Sequence, residues 1–201
     1  MRELRLPVGF AVSLLLLLMT ASGSALAQRR FEYNGKGTIE AYNKATLYFN
    51  KGTQLSETGN HLGAVVQFRK AVSVWPYDAD AYYGLGNALA KMGERDEAEK
   101  AYYKAVKLDP KASSGWSALG EMYEKEGDLA STEKCYRKSV EISPEEWVSN
   151  RDLASVLLER GKYSEARTLI EKAKKLPGAD AALIDRILEQ CNREKPAKKK
   201  K

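Results

Sequence analysis

The 201-residue chain has little of what most catalytic sites are built from. Its only histidine is His61, so no second imidazole is present to share a metal ion. Its two cysteines, Cys135 and Cys191, stand far apart, and no Cys-x-x-Cys occurs. No glycine-rich phosphate loop is present, because the glycines of the body recur singly at long intervals. Acidic residues do cluster, at Glu94-Arg95-Asp96-Glu97 and Pro144-Glu145-Glu146, but these groups fall where helical segments start and offset the helix dipole. No catalytic residue, no metal ligand and no cofactor is expected.

Charge of one sign is also missing from the body. The chain carries +6 in all, yet residues 37–194 hold 23 Lys and Arg against 25 Asp and Glu, a net −2. The basic excess lies at the ends, with Arg2, Arg5, Arg29, Arg30 and Lys36 in front and Lys195 and Lys198–Lys201 behind. A mixed-sign body without a basic stripe argues against nucleic-acid binding. Long apolar runs are missing too, except for Val8–Met19.

What the chain does contain is a repeat. Between Ala79 and Lys111 two amphipathic segments flank a break at Met92-Gly93-Glu94. Tyr82, Leu85, Gly86 and Leu89 form one stripe, and Ala98, Tyr102 and Ala105 the other, with spacings that fit a helix and not a strand. Moving 34 residues on gives Trp116, Leu119, Gly120 and Tyr123, then Gly127, Tyr136 and Pro144. Moving 34 back gives Gly59, Ala64, Phe68, Ala71 and Pro76. A fourth copy has Gly161, Ala166, Ile170 and Ala173, so the break glycines stand at 59, 93, 127 and 161 without a slip.

The run Trp116-x-x-Leu119-Gly120-x-x-Tyr123, followed by Tyr136 and Pro144, resembles the tetratricopeptide repeat, whose period is 34 residues. The resemblance spans roughly residues 45–178 and implies an all-α fold. The expected architecture is an α-solenoid of about four tetratricopeptide-like helical hairpins plus a C-terminal capping helix. Repeats are placed at about 45–78, 79–112, 113–146 and 147–180, within a domain over 38–193, and the capping helix at 181–193. The first helix of the array, from Thr38 to Thr58, begins ahead of its repeat. Each large residue of a first helix (Tyr48, Tyr82, Trp116) is expected to fill the space between paired helices. The small residues Gly52, Gly86, Gly120 and Ala154 are expected to let helices approach, and proline to close each unit. In the capping helix Ile184, Ile187, Leu188 and Cys191 keep the apolar spacing, while Asp185, Arg186, Glu189 and Gln190 point outward.

Residues 1–27 read as an export signal. Arg2 and Arg5 precede the apolar run, and Ala25-Leu26-Ala27 offers the small-x-small pattern, placing cleavage after Ala27 and the protein in the periplasm or outside the cell. Retention of the run as an anchor is the alternative, weakened by its shortness. Residues 28–37 read as a flexible lead-in, in which Phe31 and Tyr33 either pack on the first repeat or form a short docking segment. Residues 194–201 read as a disordered lysine tail. His61 is matched in later copies by Arg95, Leu129 and Tyr163, so it is read as a packing or surface residue. Cys135 and Cys191 are separated by a whole helix pair; with helices roughly 8–10 Å apart, their Cα atoms exceed the 7 Å or so that a disulfide spans. Two free thiols are expected.

The resemblance also implies a function. In such arrays the first helix of each hairpin lines a concave face that holds a peptide or helix of another protein. The matching positions are Tyr83, Asn87 and Lys91 in the second repeat, Ser117, Glu121 and Glu124 in the third, and Arg151, Ser155 and Glu159 in the fourth. Chaperone-binding members clamp a terminal carboxylate with lysine, asparagine and arginine. Their positions correspond here to Phe49, Thr53, Gly84, Ser114 and Ala118, none of which matches, so that activity is not carried over. The expected role is a non-catalytic protein–protein interaction scaffold. The alternative is an envelope tether or assembly factor that contacts anionic surfaces through Lys198, Lys199, Lys200 and Lys201. Self-association through the exposed first repeat is a further partner class.

Overall fold

The computed structural model describes residues 37–193. Residues 1–27, read from the sequence as an export signal, residues 28–36 with Phe31 and Tyr33, and residues 194–201 lie outside the described residues. Within them the chain forms nine helices and no strand: α1 (Ile39–Glu57), α2 (His61–Val74), α3 (Ala79–Met92), α4 (Arg95–Leu108), α5 (Ser113–Glu126), α6 (Leu129–Ile142), α7 (Trp147–Glu159), α8 (Tyr163–Ala173) and α9 (Ala181–Arg193). The chain divides into two units at Lys44. The described part of the first unit is the start of α1, where the Thr38 Oγ1 caps the helix by accepting from the Ala41 amide at 3.1 Å. The second unit, from Ala45 on, holds the stack.

Local sequence sets many of the helix ends. Asn60, Asp78 and Asp128 cap α2, α3 and α6 by accepting amide hydrogen bonds with their side chains. The break glycines 59, 93, 127 and 161 all take the left-handed conformation, with φ between 72° and 82°. That lets the chain reverse at a helix end, where an L side chain costs roughly 1–2 kcal/mol. Helices α2, α4 and α6 stop at Trp75, Asp109 and Ser143, each followed at once by proline.

Helices α3, α5 and α7 (helix A of their hairpins) each pack on the helix B that follows, and α2, α4, α6 and α8 each pack on the next odd-numbered helix; α1, helix A of the first hairpin, meets α2 where Gly52 and Phe49 face Phe68. The small residues of helix A do more than permit approach: each seats a side chain of helix B. A Cβ added at Gly52 would lie 2.9 Å from the Phe68 ring, and one at Gly86 would lie 2.6 Å from the Tyr102 ring. Gly120 faces Tyr136 in the same way. The sequence expectation for Tyr48, Tyr82 and Trp116 is corrected here, since these side chains are only half-buried. The aromatic bulk that fills each hairpin comes from helix B instead: Phe68, Tyr102 and Tyr136 are 2%, 4% and 1% exposed. At that depth each ring excludes water on both faces, as a core residue must.

The core of the stack is in two parts. One runs from Ala64 to Cys135, the other from Tyr136 to Cys191. Beside this junction lies a chain of hydroxyls: Ser117 Oγ is 2.8 Å from Ser139 Oγ, which is 3.0 Å from Ser149 Oγ, which donates to Glu146 at 2.8 Å. Asn150, standing where earlier repeats carry an aromatic, is fully buried and donates to the carbonyls of Pro144 and Glu146. Helix α9 closes the stack by burying Ile184, Ile187 and Cys191 while leaving Asp185, Arg186, Glu189 and Gln190 exposed. Cys135 and Cys191 are both free and buried. No described helix is long and apolar enough to cross a membrane.

Candidate functional site

Residues on helix A that are off the packing stripe rise from three consecutive hairpins. Tyr83, on α3, is half-buried with its ring 6.0 Å from that of Tyr102. The Tyr102 hydroxyl donates to Asn87 Oδ1 at 2.8 Å, so Asn87 is oriented by the core rather than free in solvent. Lys91 is exposed in the last turn of α3. On α5, Ser117 is engaged by Ser139, whereas Glu121 and Glu124 are exposed. Glu124 accepts from the Tyr136 hydroxyl at 3.0 Å. On α7, Arg151 lies 5.2 Å from the Trp147 ring centroid and binds Asp152 Oδ1 through Nε at 2.8 Å and Nη2 at 2.5 Å. Ser155 is half-buried and Glu159 exposed.

Electrostatics ties the middle of this surface together. Burial, with Tyr83 and Glu121 adding to it, raises the Tyr102 phenol, and burial with Glu124, Asp152 and Glu121 raises that of Tyr136. Burial also raises the Asp152 carboxyl; Arg151 pulls it back down, while Glu121 and Glu124 push it up further. Glu121 on α5 therefore lies close enough to act on side chains from α4, α6 and α7. Lys91, near the end of α3, and Glu159, near the end of α7, stand toward the margins of this surface.

Three contributors escaped the sequence reading. Tyr102 and Tyr136 were assigned to the packing stripe, which they do occupy, but their hydroxyls reach through to Asn87 and Glu124. Asp152 occupies the register of Gly84 and Ala118, and the departure from a small residue to a carboxylate was its signal. The positions matching a carboxylate clamp provide no positive charge: Phe49 packs on Phe68 at 5.8 Å, Gly84 faces the same ring, and Ala118 is buried.

A second cluster of charge is structural. Glu133 on α6, 5% exposed, receives Arg137, Arg160 and Lys162 at 2.6–2.7 Å. Arg137 also reaches Glu165 at 2.5 Å. This network joins the third hairpin to the turn of the fourth. Its buried carboxylate is fully matched, which leaves no open valence for chemistry. Among the described residues no group of three or more His, Cys, Asp or Glu is placed to hold a metal ion.

Residues 79–112 and 113–146 each match a family model described as tetratricopeptide repeat. The fold is a tetratricopeptide-type solenoid. Two solved structures, both titled as crystal structures of MamA, are similar to it. One has 24% identity and a TM-score of 0.61, covering 65% of this chain and 77% of that one. The other has 15% identity and a TM-score of 0.63, covering 76% and 88%. At these identities the likeness concerns the fold. No curated protein is significantly similar to the chain. Tetratricopeptide repeats are protein-binding units, typically without catalysis of their own.

Proposed function

We propose that the protein is a non-catalytic scaffold that holds a segment of another protein against the helix A surface of its second to fourth hairpins. The observation that carries this reading is the assembly of Tyr83 and Asn87, Glu121 and Glu124, and Arg151 and Asp152 into one continuous surface from three hairpins. Helix α3 also touches α5, and α7 touches α9, although a helix B separates each pair in sequence. Helices on the inside of a bend approach one another in this manner, which supports reading this surface as the concave one. Several of its polar groups are held in place by buried tyrosines or by Trp147, so a partner meets a surface already ordered and forfeits less entropy on binding.

The Arg2–Ala27 pattern supports export to the periplasm or the cell exterior with cleavage after Ala27. N-terminal sequencing of the protein from its native host tests this: a mature chain beginning at Gln28 is expected, and one retaining Val8–Met19 overturns it. For the scaffold, the test is a crosslinking pull-down from native envelope extract, read by mass spectrometry, with the triple variant Tyr83→Ala, Asn87→Ala, Arg151→Ala alongside. The expected result is a discrete partner lost in the triple variant while far-UV circular dichroism is unchanged. Capture that survives the triple variant and disappears on deleting Lys198–Lys201 favours the tether reading instead, which rests on the basic excess at the chain ends.

A further inference from the structure

Among the described residues, every buried polar or charged side chain belongs to α6 or to the start of α7: Thr132, Glu133 and Ser139 on the first, Ser149 and Asn150 on the second. At the 34-residue register, the small residues of successive joints between hairpins are Ala71 and Ala81, then Ala105 and Gly115, then Ser139 and Ser149. Asn150 takes the position of Tyr82 and Trp116. The joint between the third and fourth hairpins thus carries two hydroxyls and an amide where the earlier joints carry none.

That amide is only half matched. Asn150 is fully buried and its Nδ2 donates to two carbonyls, but its Oδ1 has no hydrogen-bond partner. An orphan acceptor at that depth is penalised while the joint is closed and finds water when it opens. The chain Ser117–Ser139–Ser149 likewise exchanges its hydrogen bonds for water at little net cost. Apolar continuity breaks at the same place. Cys135 belongs to the core that runs back to Ala64, and Tyr136, beside it, to the core that runs on to Cys191. Helices α7–α9 hold apolar contacts of their own through the buried Leu153, Leu157, Ile170 and Ile184. What opposes opening is ionic: Glu133 of α6 holds Arg160 and Lys162 of the turn after α7, and Arg137 of α6 holds Glu165 of α8.

We propose that α7–α9 open from the first three hairpins as one body, with Ser139, Ser149 and Asn150 as the line of opening and the Glu133 cluster as its latch. In a stack where each hairpin contacts only its neighbours, stability is a sum of hairpin and joint contributions, so the joint richest in buried polar groups yields first. The device needs no partner and stands apart from the scaffold reading. It adds one consequence to that reading: Arg151, Asp152 and Glu159 of α7 move with the opening body.

The test is native-state hydrogen exchange of the full chain, read by mass spectrometry on peptides from each helix across urea concentrations below the unfolding transition. Amides of α7 and α8 are expected to exchange through one shared opening, with a common urea slope, about tenfold or more faster than those of α3–α5 once intrinsic rates are divided out. The triple variant Ser139→Ala, Ser149→Ala, Asn150→Leu removes the polar seam. It leaves the Pro144 carbonyl with Lys172 and the Glu146 carbonyl with the backbone amide of residue 150. It is expected to slow exchange in α7 and α8 about tenfold and to leave α3 unchanged. Uniform protection from α3 to α9 overturns the proposal, as does opening that frays from α9 alone. Early exchange of α7 and α8 that the triple variant does not slow overturns it too, because ordinary end fraying gives that pattern. Glu133→Gln, a milder change, is expected to act in the opposite sense, speeding α7 and α8 about tenfold with α3 unchanged. It keeps the test decisive where the triple variant does not fold, and equal acceleration of α3 and α7 overturns the latch.

Discussion

Replacing Gly86 by alanine sets two effects of opposite sign against each other. Gly86 is inside α3, and in an exposed helix interior alanine is favoured over glycine by about 1 kcal/mol. Here the new methyl would lie 2.6 Å from Cδ1 and Cε1 of Tyr102, where carbon atoms settle at about 3.5–4.0 Å. The ring must therefore retreat by about 1 Å. It is 4% exposed, and its hydroxyl is bonded to Asn87, so retreat disturbs both the core and the helix A surface. Overpacking of this kind costs about 1–3 kcal/mol. Set against the propensity gain of about 1 kcal/mol, the clash leaves Gly86→Ala losing up to about 2 kcal/mol. The fourth hairpin shows how the same position accommodates alanine: Ala154 and Ile170, both 0% exposed, replace the glycine and the ring. The double variant Gly86→Ala, Tyr102→Ile is accordingly expected to be more stable than the sum of its single changes predicts, with a coupling of at least about 1 kcal/mol. Urea denaturation followed by far-UV circular dichroism reads this as a shift of midpoint at constant slope. A stabilising Gly86→Ala, or additive single changes, would refute the seating of rings on glycine.

The Glu133 network and the two thiols give further predictions. Burial raises the Glu133 carboxyl, but hydrogen bonds from Lys162 and Arg137 and the charges of Arg137 and Arg160 outweigh it, holding the group below its ordinary range. Its contribution is then present above the unfolded value of about 4.3 and is lost as pH falls through the lower folded value. Glu133→Gln is expected to cost about 1–3 kcal/mol at pH 7, and the gap to wild type to close as pH falls below about 4, measured by thermal denaturation at a series of pH values. A gap that is independent of pH refutes the electrostatic account. Burial pushes the Cys135 thiol up to about 11 and raises Cys191 as well. Both are expected to resist iodoacetamide at pH 7.5 in the native protein and to alkylate fully in denaturant, which intact-mass spectrometry distinguishes.

How much of this was legible beforehand follows from what a period of 34 residues encodes. The register of glycine, proline and apolar stripe fixes where helices start, stop and face, because those depend on neighbours three or four residues away. Thus the break glycines, the capping helix with Cys191 inside, and the isolation of the two thiols could all be argued before any coordinates. Which side chain fills a hairpin could not. Tyr82 and Tyr102 carry the same apolar signal, and only the approach of α4 to Gly86 buries one and leaves the other half-exposed. The Glu133 network needed the turn after α7 brought against α6, a contact between residues nearly thirty positions apart. The proposed surface was half legible. Its helix A members follow from spacing, whereas the hydroxyls of Tyr102 and Tyr136 that orient Asn87 and Glu124 arrive from helix B. Local periodicity determined the elements and their faces; packing between helices decided which polar groups the core holds still, because that depends on distances the sequence does not contain.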